Sequence, residues 1–307
     1  MDGSDAPPVA VICGPTAAGK TQVAHWLAER FPVTIVSADS RQVYRGFDIG
    51  TAKPTPAERA AVPYLGIDIL PPTDRASAAW WAECAEGWIG ESERAGRVPL
   101  VVGGTGLYMR ALFSPFFEEP ALDPDRRRAL EHELARLDTS ELRRWTTCLD
   151  PSRAHLGRAQ LLRAIEVALL TGQRLSRLHA VRARPARRRA RYLLVDKGGR
   201  LRDDIARRTH SMLAAGWREE VRALMQSVPH DAPAWNGTGY RTIRALEEGL
   251  LDATRAEERI VTETRQYAKR QRTWFRHQLP EAEVTHVSTE TEGWMDRTLA
   301  WWTEQDA

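Results

Sequence analysis

The sequence predicts an α/β fold: a P-loop core with a parallel sheet flanked by helices, plus an inserted helical domain. Three observations predict it. An apolar run at Val9–Cys13 leads at once into Gly14–Thr21, GPTAAGKT, the strand, loop and helix order of a phosphate-binding loop. Two further apolar runs, Val33–Ser37 and Val98–Val102, each end in a turn of glycine or small polar residues, as buried parallel strands do. A long Arg/Glu-rich helical stretch then precedes a fourth strand at Arg191–Val195, so an inserted helical module is expected at 114–190, between core segments 1–113 and 191–307.

In chain order the phosphate loop comes first. Gly14 and Gly19 allow backbone geometry that other residues resist, so successive N–H groups can turn inward around a phosphate oxygen. The residues expected to hold a diphosphate are Gly14, Pro15, Thr16, Ala17, Ala18, Gly19, Lys20 and Thr21. Lys20 supplies a mobile point charge, the Thr21 hydroxyl is the expected Mg²⁺ ligand, and the helix opening near Gly19 adds its positive end. The loop names no reaction, because kinases, nucleotide hydrolases and transferases all use it.

The second strand ends in Ala38–Gly46, ADSRQVYRG. Ligands of an open parallel sheet sit beyond the carboxyl ends of its strands, so Asp39 is expected to project into the same crevice. Alone it suits three roles: a metal ligand, a general base taking a proton from an attacking group, or a cap of the next turn. The third strand is followed by Gly103–Tyr108, GGTGLY, where three glycines permit close backbone approach and leave Thr105 between them with a hydroxyl to offer. Glycines at a strand-to-helix turn also serve the turn alone.

Together these segments resemble the tRNA dimethylallyltransferases, or tRNA isopentenyltransferases, whose pattern GPTASGKT, SADSRQVYRG(x)DIGTAKP and VGGTGLY is nearly reproduced. Ala18 stands where that family usually has Ser, and Ser37–Pro54 reads SADSRQVYRGFDIGTAKP. The resemblance continues through a helix pair at Leu201–Val221, through Gly239-Tyr240-Arg241 and through Tyr267–Arg276, YAKRQRTWFR, covering about Val9 to His277. It implies transfer of a dimethylallyl group from dimethylallyl diphosphate to the N6 amine of adenosine 37 of tRNA, next to the anticodon, with release of diphosphate. By the same resemblance Asp39 and Thr105 are catalytic, Asp39 accepting the amine proton and Thr105 positioning the reacting atoms, while Arg208 is a further diphosphate contact. The residues it assigns to tRNA are Asp39, Ser40, Arg41 and Gln42; Gln160, Leu161, Leu162 and Arg163 in the insertion; Gly239, Tyr240 and Arg241; and Lys269, Arg270, Gln271, Arg272, Thr273, Trp274, Phe275 and Arg276. Gln160 departs from the Arg more usual in the family, and the stretch before it is shortened.

Charge adds a second line of argument. The balance of 44 basic against 41 acidic residues leaves +3, too small to signal nucleic-acid binding, but the distribution is uneven. Arg182, Arg184, Arg187, Arg188, Arg189 and Arg191 form a run with no acidic residue among them, which a mobile basic linker would explain. A stripe of Arg265, Lys269, Arg272 and Arg276 recurs at helical spacing beside Tyr267, Gln271 and Trp274; such side chains neutralise phosphates or stack on splayed bases. The spacing equally suits the solvated side of an amphipathic helix whose buried side carries Ile260, Thr264, Tyr267, Gln271 and Trp274.

The remaining elements are plainer. Asp123–Asp150 reads as short helices, and Arg158–Thr171 as an amphipathic helix with Leu161, Leu162, Ile165 and Leu169 on its apolar side. Trp80, Trp81 and Trp88 lie at helical spacing in Ala76–Arg94 and read as core; VTHVS near the end reads as an edge strand before a Trp-rich helix. Three widely spaced cysteines and eight unpaired histidines form no disulfide framework or metal motif. With no apolar run long enough for a membrane and no basic-then-apolar leader, a cytoplasmic chain, and a monomer, is expected. Three rivals stay open at this point: an ATP-dependent small-molecule kinase, a nucleotide-switched RNA-binding protein, and a prenyltransferase acting on free AMP or ATP.

Overall fold

The computed structural model describes residues 7–117, 120, 122–181 and 183–304; Arg182 of the arginine run lies outside them. The chain begins with β1 (Val9–Cys13), α1 (Lys20–Ala28), β2 (Val33–Ala38), α2 (Pro56–Ala61), β3 (Tyr64–Leu65), α3 (Ala78–Arg94), β4 (Val98–Gly103) and α4 (Gly106–Phe113). Then come β5 (Phe116–Phe117), α5 (Pro124–Ala135), α6 (Thr139–Leu149), α7 (Arg158–Thr171), α8 (Leu175–Val181) and β6 (Ala183–Arg184). The last part holds β7 (Ala190–Val195), α9 (Leu201–Ala214), α10 (Trp217–Ser227), α11 (Tyr240–Glu247), α12 (Ala253–Gln278), β8 (Val284–Val287) and α13 (Trp294–Thr303).

Six of the strands form one parallel sheet in the order β3-β2-β4-β1-β7-β8. Strands β1 and β2 are buried along their whole length, which is why they read as mostly apolar runs rather than strictly alternating ones, with Thr34 and Ser37 the buried polar residues of β2. The register sets Cys13 beside Gly103, and Gly103 beside Ala38. The turns that follow β1, β2 and β4 therefore leave the sheet side by side. Ile12, Val23, Leu27, Ile35, Leu100, Leu193, Trp301 and Trp302 belong to one buried cluster, which brings side chains of α1 and α13 onto the sheet. Trp81 of α3 is buried, donates its indole N–H to the Ser37 carbonyl at 3.1 Å and stacks on Tyr108, while Trp80 and Trp88 are half-buried.

The described chain divides into two compact units, 1–114 with 187–307, and 115–186. The second unit ends short of the expected residue 190 because Arg187 and Arg188 donate their backbone N–H groups to the Leu112 carbonyl, and Arg188 pairs with Glu86 at 2.7 Å and Glu93 at 3.3 Å. That stretch of the arginine run is anchored. Within the second unit, Leu134, Leu142, Leu161 and Ile165 share one small core. The buried side of α7 also takes in Ala164 and Val167, which turns Leu169, expected on the apolar side, out to solvent. Glu166 is buried there between Arg163 at 2.9 Å and Arg127 at 3.2 Å.

Lys53 shows how the core unit holds its irregular segments. Its side chain is buried, donates to the Tyr44 carbonyl and pairs with Asp48 and Asp68, Asp68 also binding Arg59 at 2.7 Å. Burial pushes the Asp68 carboxyl up, but the hydrogen bonds from Lys53 and Arg59 outweigh it and hold it below the usual range. The ammonium thus joins the turn after β2 to the segment after β3. Lys53→Met is expected to destabilise the protein by about 3 kcal/mol, the low end for breaking a buried pair because both carboxylates are partly hydrated. Thermal denaturation beside the unaltered chain measures it; equal stability would mean the bridge contributes nothing.

Candidate active site

The turns brought together by the register enclose a cavity of about 430 Å³ lined by Thr16 to Thr21, Asp39, Gln42, Lys197, Arg208, Tyr267 and Gln271. A second cavity of about 270 Å³ is lined by Ser40, Arg41, Thr209, Trp217, Asn236, Thr264 and Arg270. Thr16, Asp39, Thr51, Arg208 and Tyr267 line both, so the two spaces meet at these side chains.

The phosphate loop leaves β1 through Gly14 at φ +145°, where a Cβ would stand 2.1 Å from the Val195 carbonyl oxygen. No other residue fits this turn against β7. Gly19 caps α1, and Lys20 and the exposed Thr21 open its first turn. The Lys20 ammonium donates to the carbonyls of Gly14 at 3.0 Å and Pro15 at 2.7 Å. Burial, with help from the nearby Arg208 charge, pushes its pKa down to about 8, while Asp39 pulls the other way. Burial likewise lowers the pKa of Arg208 on α9, and Asp39 opposes it. Lys20, Lys197, Arg207 and Arg208 therefore face a space with two carboxylates, Asp39 and Asp204, leaving more positive charge than negative, the balance an anion would complete.

Asp39 caps the turn after β2 and faces both cavities. One carboxylate oxygen accepts the Arg41 N–H at 2.8 Å, the local cap, and the carboxylate also lines both cavities. Thr105 stands beside it: its hydroxyl oxygen accepts the Ser40 N–H at 3.0 Å and its hydroxyl faces that of Ser40 at 3.4 Å. Gln42 accepts from Ser37 at 2.9 Å and donates to the Thr51 and Ala52 carbonyls at 3.2 and 3.1 Å, tying the turn after β2 to the cavity wall. Gln271 is buried, accepts the Thr16 N–H at 2.8 Å and donates to the Gly104 carbonyl at 2.9 Å. It joins the phosphate loop to the turn after β4.

The other residues assigned to tRNA fall into distinct places. Gly239 and Gly50 both lie against Trp217, where a Cβ on either would stand 2.4 or 2.3 Å from its ring. Tyr240 is buried, its hydroxyl donating to Glu220 at 2.6 Å, and Arg241 is exposed with a bond to Asn236 at 2.7 Å. On α12, Lys269, Arg270, Thr273 and Arg276 are exposed, Trp274 is half-buried over Gly106, and Phe275 is buried. Arg272, read as part of the basic stripe, donates to Asp196 at 2.7 Å, so its charge is already balanced. In the helical unit Gln160 is exposed and Leu162 half-buried, Leu161 is buried, and Arg163 is held by Glu166.

One residue of the site carried no signal in the sequence. Glu220 accepts the N–H groups of Asp48 at 3.1 Å and Ile49 at 2.7 Å besides the Tyr240 hydroxyl, so one carboxylate on α10 fixes two turns. Tyr267, read beside the basic stripe both as a stacking side chain and as part of the buried side of its helix, is half-buried and lines both cavities.

Known proteins with the same sequence features fall in one group. Residues 42–278 match the family described as IPP transferase, and residues 7–63 match the one described as isopentenyl transferase. A protein named tRNA dimethylallyltransferase from Alkalilimnicola ehrlichii is 44% identical over 284 residues, 89% of this chain and 88% of its own. One of the same name from Gloeobacter violaceus is 42% identical over 279 residues, 87% of this chain and 89% of its own. Among solved structures, a tRNA delta(2)-isopentenylpyrophosphate transferase from Staphylococcus epidermidis superposes with a TM-score of 0.69 at 31% identity, covering 98% of this chain and 99% of that one.

Proposed function

Because the chain belongs to the IPP transferase family, we propose that its two joined cavities transfer a dimethylallyl group from dimethylallyl diphosphate to the N6 amine of adenosine 37 of tRNA. The observation that carries this reading is the meeting of a phosphate-loop cavity and a second cavity at Asp39. Diphosphate on Gly14–Thr21 gains negative charge as the allylic C–O bond breaks, and the loop amides, Lys20 and Arg208 interact most strongly with that developing charge. The adenine amine comes from the other side, through the cavity lined by Arg41, Asn236 and Arg270. Asp39, held by the Arg41 N–H, takes the amine proton, and Thr105, held by Ser40, orients the amine.

The residues present fit Mg²⁺. The Thr21 hydroxyl and the carboxylates of Asp39 and Asp204 line the phosphate cavity, and Mg²⁺ needs only one or two protein oxygens beside phosphate and water. Thr21 would hold it, and the ion would neutralise charge on the leaving diphosphate.

A cavity of this size admits one base and not a stem. The target nucleotide must leave the anticodon-loop stack at a cost of a few kcal/mol, offset by cations outside the crevice. Those cations are Arg241, Lys269 and Arg276, joined by Arg270 at the wall of the second cavity, since Arg272 is paired. Replacing Lys269, Arg270 and Arg276 together by Ala is expected to weaken tRNA binding and to lower its salt slope by about 2, at roughly 0.7 per lost contact with single-stranded RNA. Dimethylallyl diphosphate affinity should stay constant. An unchanged slope across a salt series would make this helix face merely solvated.

Family membership sets aside the kinase and switch readings. The chain acts, in this reading, as a cytoplasmic monomer; no helix among the described residues is long and apolar enough to cross a membrane. Thermal-shift titration tests the ligand assignment: at a hundred times its dissociation constant, dimethylallyl diphosphate should add about 2.7 kcal/mol to apparent stability. Stabilisation by ATP alone would contradict it.

A further inference from the structure

The reactive allylic carbon must lie where the two cavities meet, because its leaving group sits in one and its nucleophile arrives through the other; this rests on the function proposed above. Five residues line both spaces, and Thr16, Asp39, Thr51 and Arg208 among them offer hydroxyls or charges. The fifth, Tyr267, brings the one aromatic ring of the five. Its position is fixed by α12, and its hydroxyl lies close enough to Asp39 to feel that charge. Burial first, and the Asp39 charge second, push its hydroxyl up to about 12, so the ring stays neutral at working pH.

We propose that Tyr267 is a catalytic residue whose ring face stabilises the positive charge developing on the allylic group. In the step it serves, the C1–O bond breaks with its electron pair leaving on diphosphate, the N6 lone pair forms the N–C1 bond, and the amine proton passes to Asp39. Between breaking and forming, C1 and C3 share positive charge. A π face is negative and attracts that charge, more strongly in a site screened from water. Arg270 already stands over this ring with its guanidinium carbon 5.8 Å from the centroid, within the roughly 6 Å reach of the interaction, so the ring already attracts positive charge.

The test keeps shape and changes only the ring's charge distribution. Position 267 is replaced by Phe and then by phenylalanines with one, two and three ring fluorines, and prenyl-adenosine formation is followed in single turnovers with tRNA and saturating dimethylallyl diphosphate. Tyr267→Phe should stay within about threefold of the unaltered chain, each added fluorine should slow the step further, and Tyr267→Leu should lose about twentyfold, with little change in either KM. A flat fluorine series, or a Phe variant as slow as the trifluoro one, would overturn the role. So would an Arg270→Ala variant that reproduces the decline, since the ring would then act by holding Arg270. Melting curves run alongside; if Leu fails to fold, the isosteric fluorine series decides. No prenyl-adenosine from the unaltered chain would overturn the function itself and this role with it, whereas a flat series with an active unaltered chain would overturn this role alone.

Discussion

Asp39→Asn is expected to bind tRNA and dimethylallyl diphosphate nearly as well as the unaltered chain while losing about a hundredfold or more in rate, the size of a positioned general base. The substitution is conservative in structure. An Asn side-chain oxygen can still accept the Arg41 N–H, so the turn after β2, with Ser40 on Thr105 and Gln42 on Thr51, keeps its shape. What disappears is the negative charge that accepts the proton and partly balances Lys20 and Arg208. Single-turnover kinetics with both substrates saturating read the chemical step. A rise in KM with no loss of rate would make Asp39 a binding residue and send the proton elsewhere.

Lys20→Ala is the second large effect, about a hundredfold to a thousandfold in rate together with weaker dimethylallyl diphosphate binding, because the lost cation acts on charge that grows in the transition state. The fold should survive, since the ammonium contacts only the loop's own carbonyls. A pH signature distinguishes this role from a structural one. Burial, with the Arg208 charge, has lowered the Lys20 pKa to about 8. A bound diphosphate favours the charged ammonium and raises that pKa, so only the protonated form binds well, and affinity must fall as pH rises through about 8. Calorimetric titration across that range should show the decline in the unaltered chain and none in Lys20→Ala. A decline that persists in the variant would place the titrating group elsewhere.

How much of this could be read in advance depended on the range of each interaction. Strand β1 announces itself as a continuous apolar run, and β2, β4 and β7 as mostly apolar ones, because the sheet is largely buried, and the phosphate loop is legible because its demands are local: Gly14 fits a turn that no Cβ allows. Helix α7 was legible in extent but not in rotation, since its apolar residues allow two nearby faces and packing chose the one with Ala164 and Val167. The residues that hold the site together were illegible. Gln271 reaches Thr16 from the far end of the chain, and in sequence it is one polar residue in a basic helix. Glu220 sits in WREEV, where either glutamate reads as solvated, and only its contacts with Ile49 and Tyr240 separate it from Glu219. Lys53 and Arg272 look like free cations in sequence, but the fold brings Asp48, Asp68 and Asp196 to them. Charge counting along a chain registers neither kind of partner.

The central claim is that Asp39, Thr105 and the phosphate loop join an allylic diphosphate to an adenine amine of tRNA. It is tested most directly by incubating the purified chain with unmodified tRNA, dimethylallyl diphosphate and Mg²⁺, digesting the tRNA to nucleosides and separating them by mass. One new adenosine is expected, heavier by a dimethylallyl group, formed by the unaltered chain and nearly absent with Asp39→Asn. Adenosine of unchanged mass from the unaltered chain, or a phosphorylated product formed only with ATP, would contradict it.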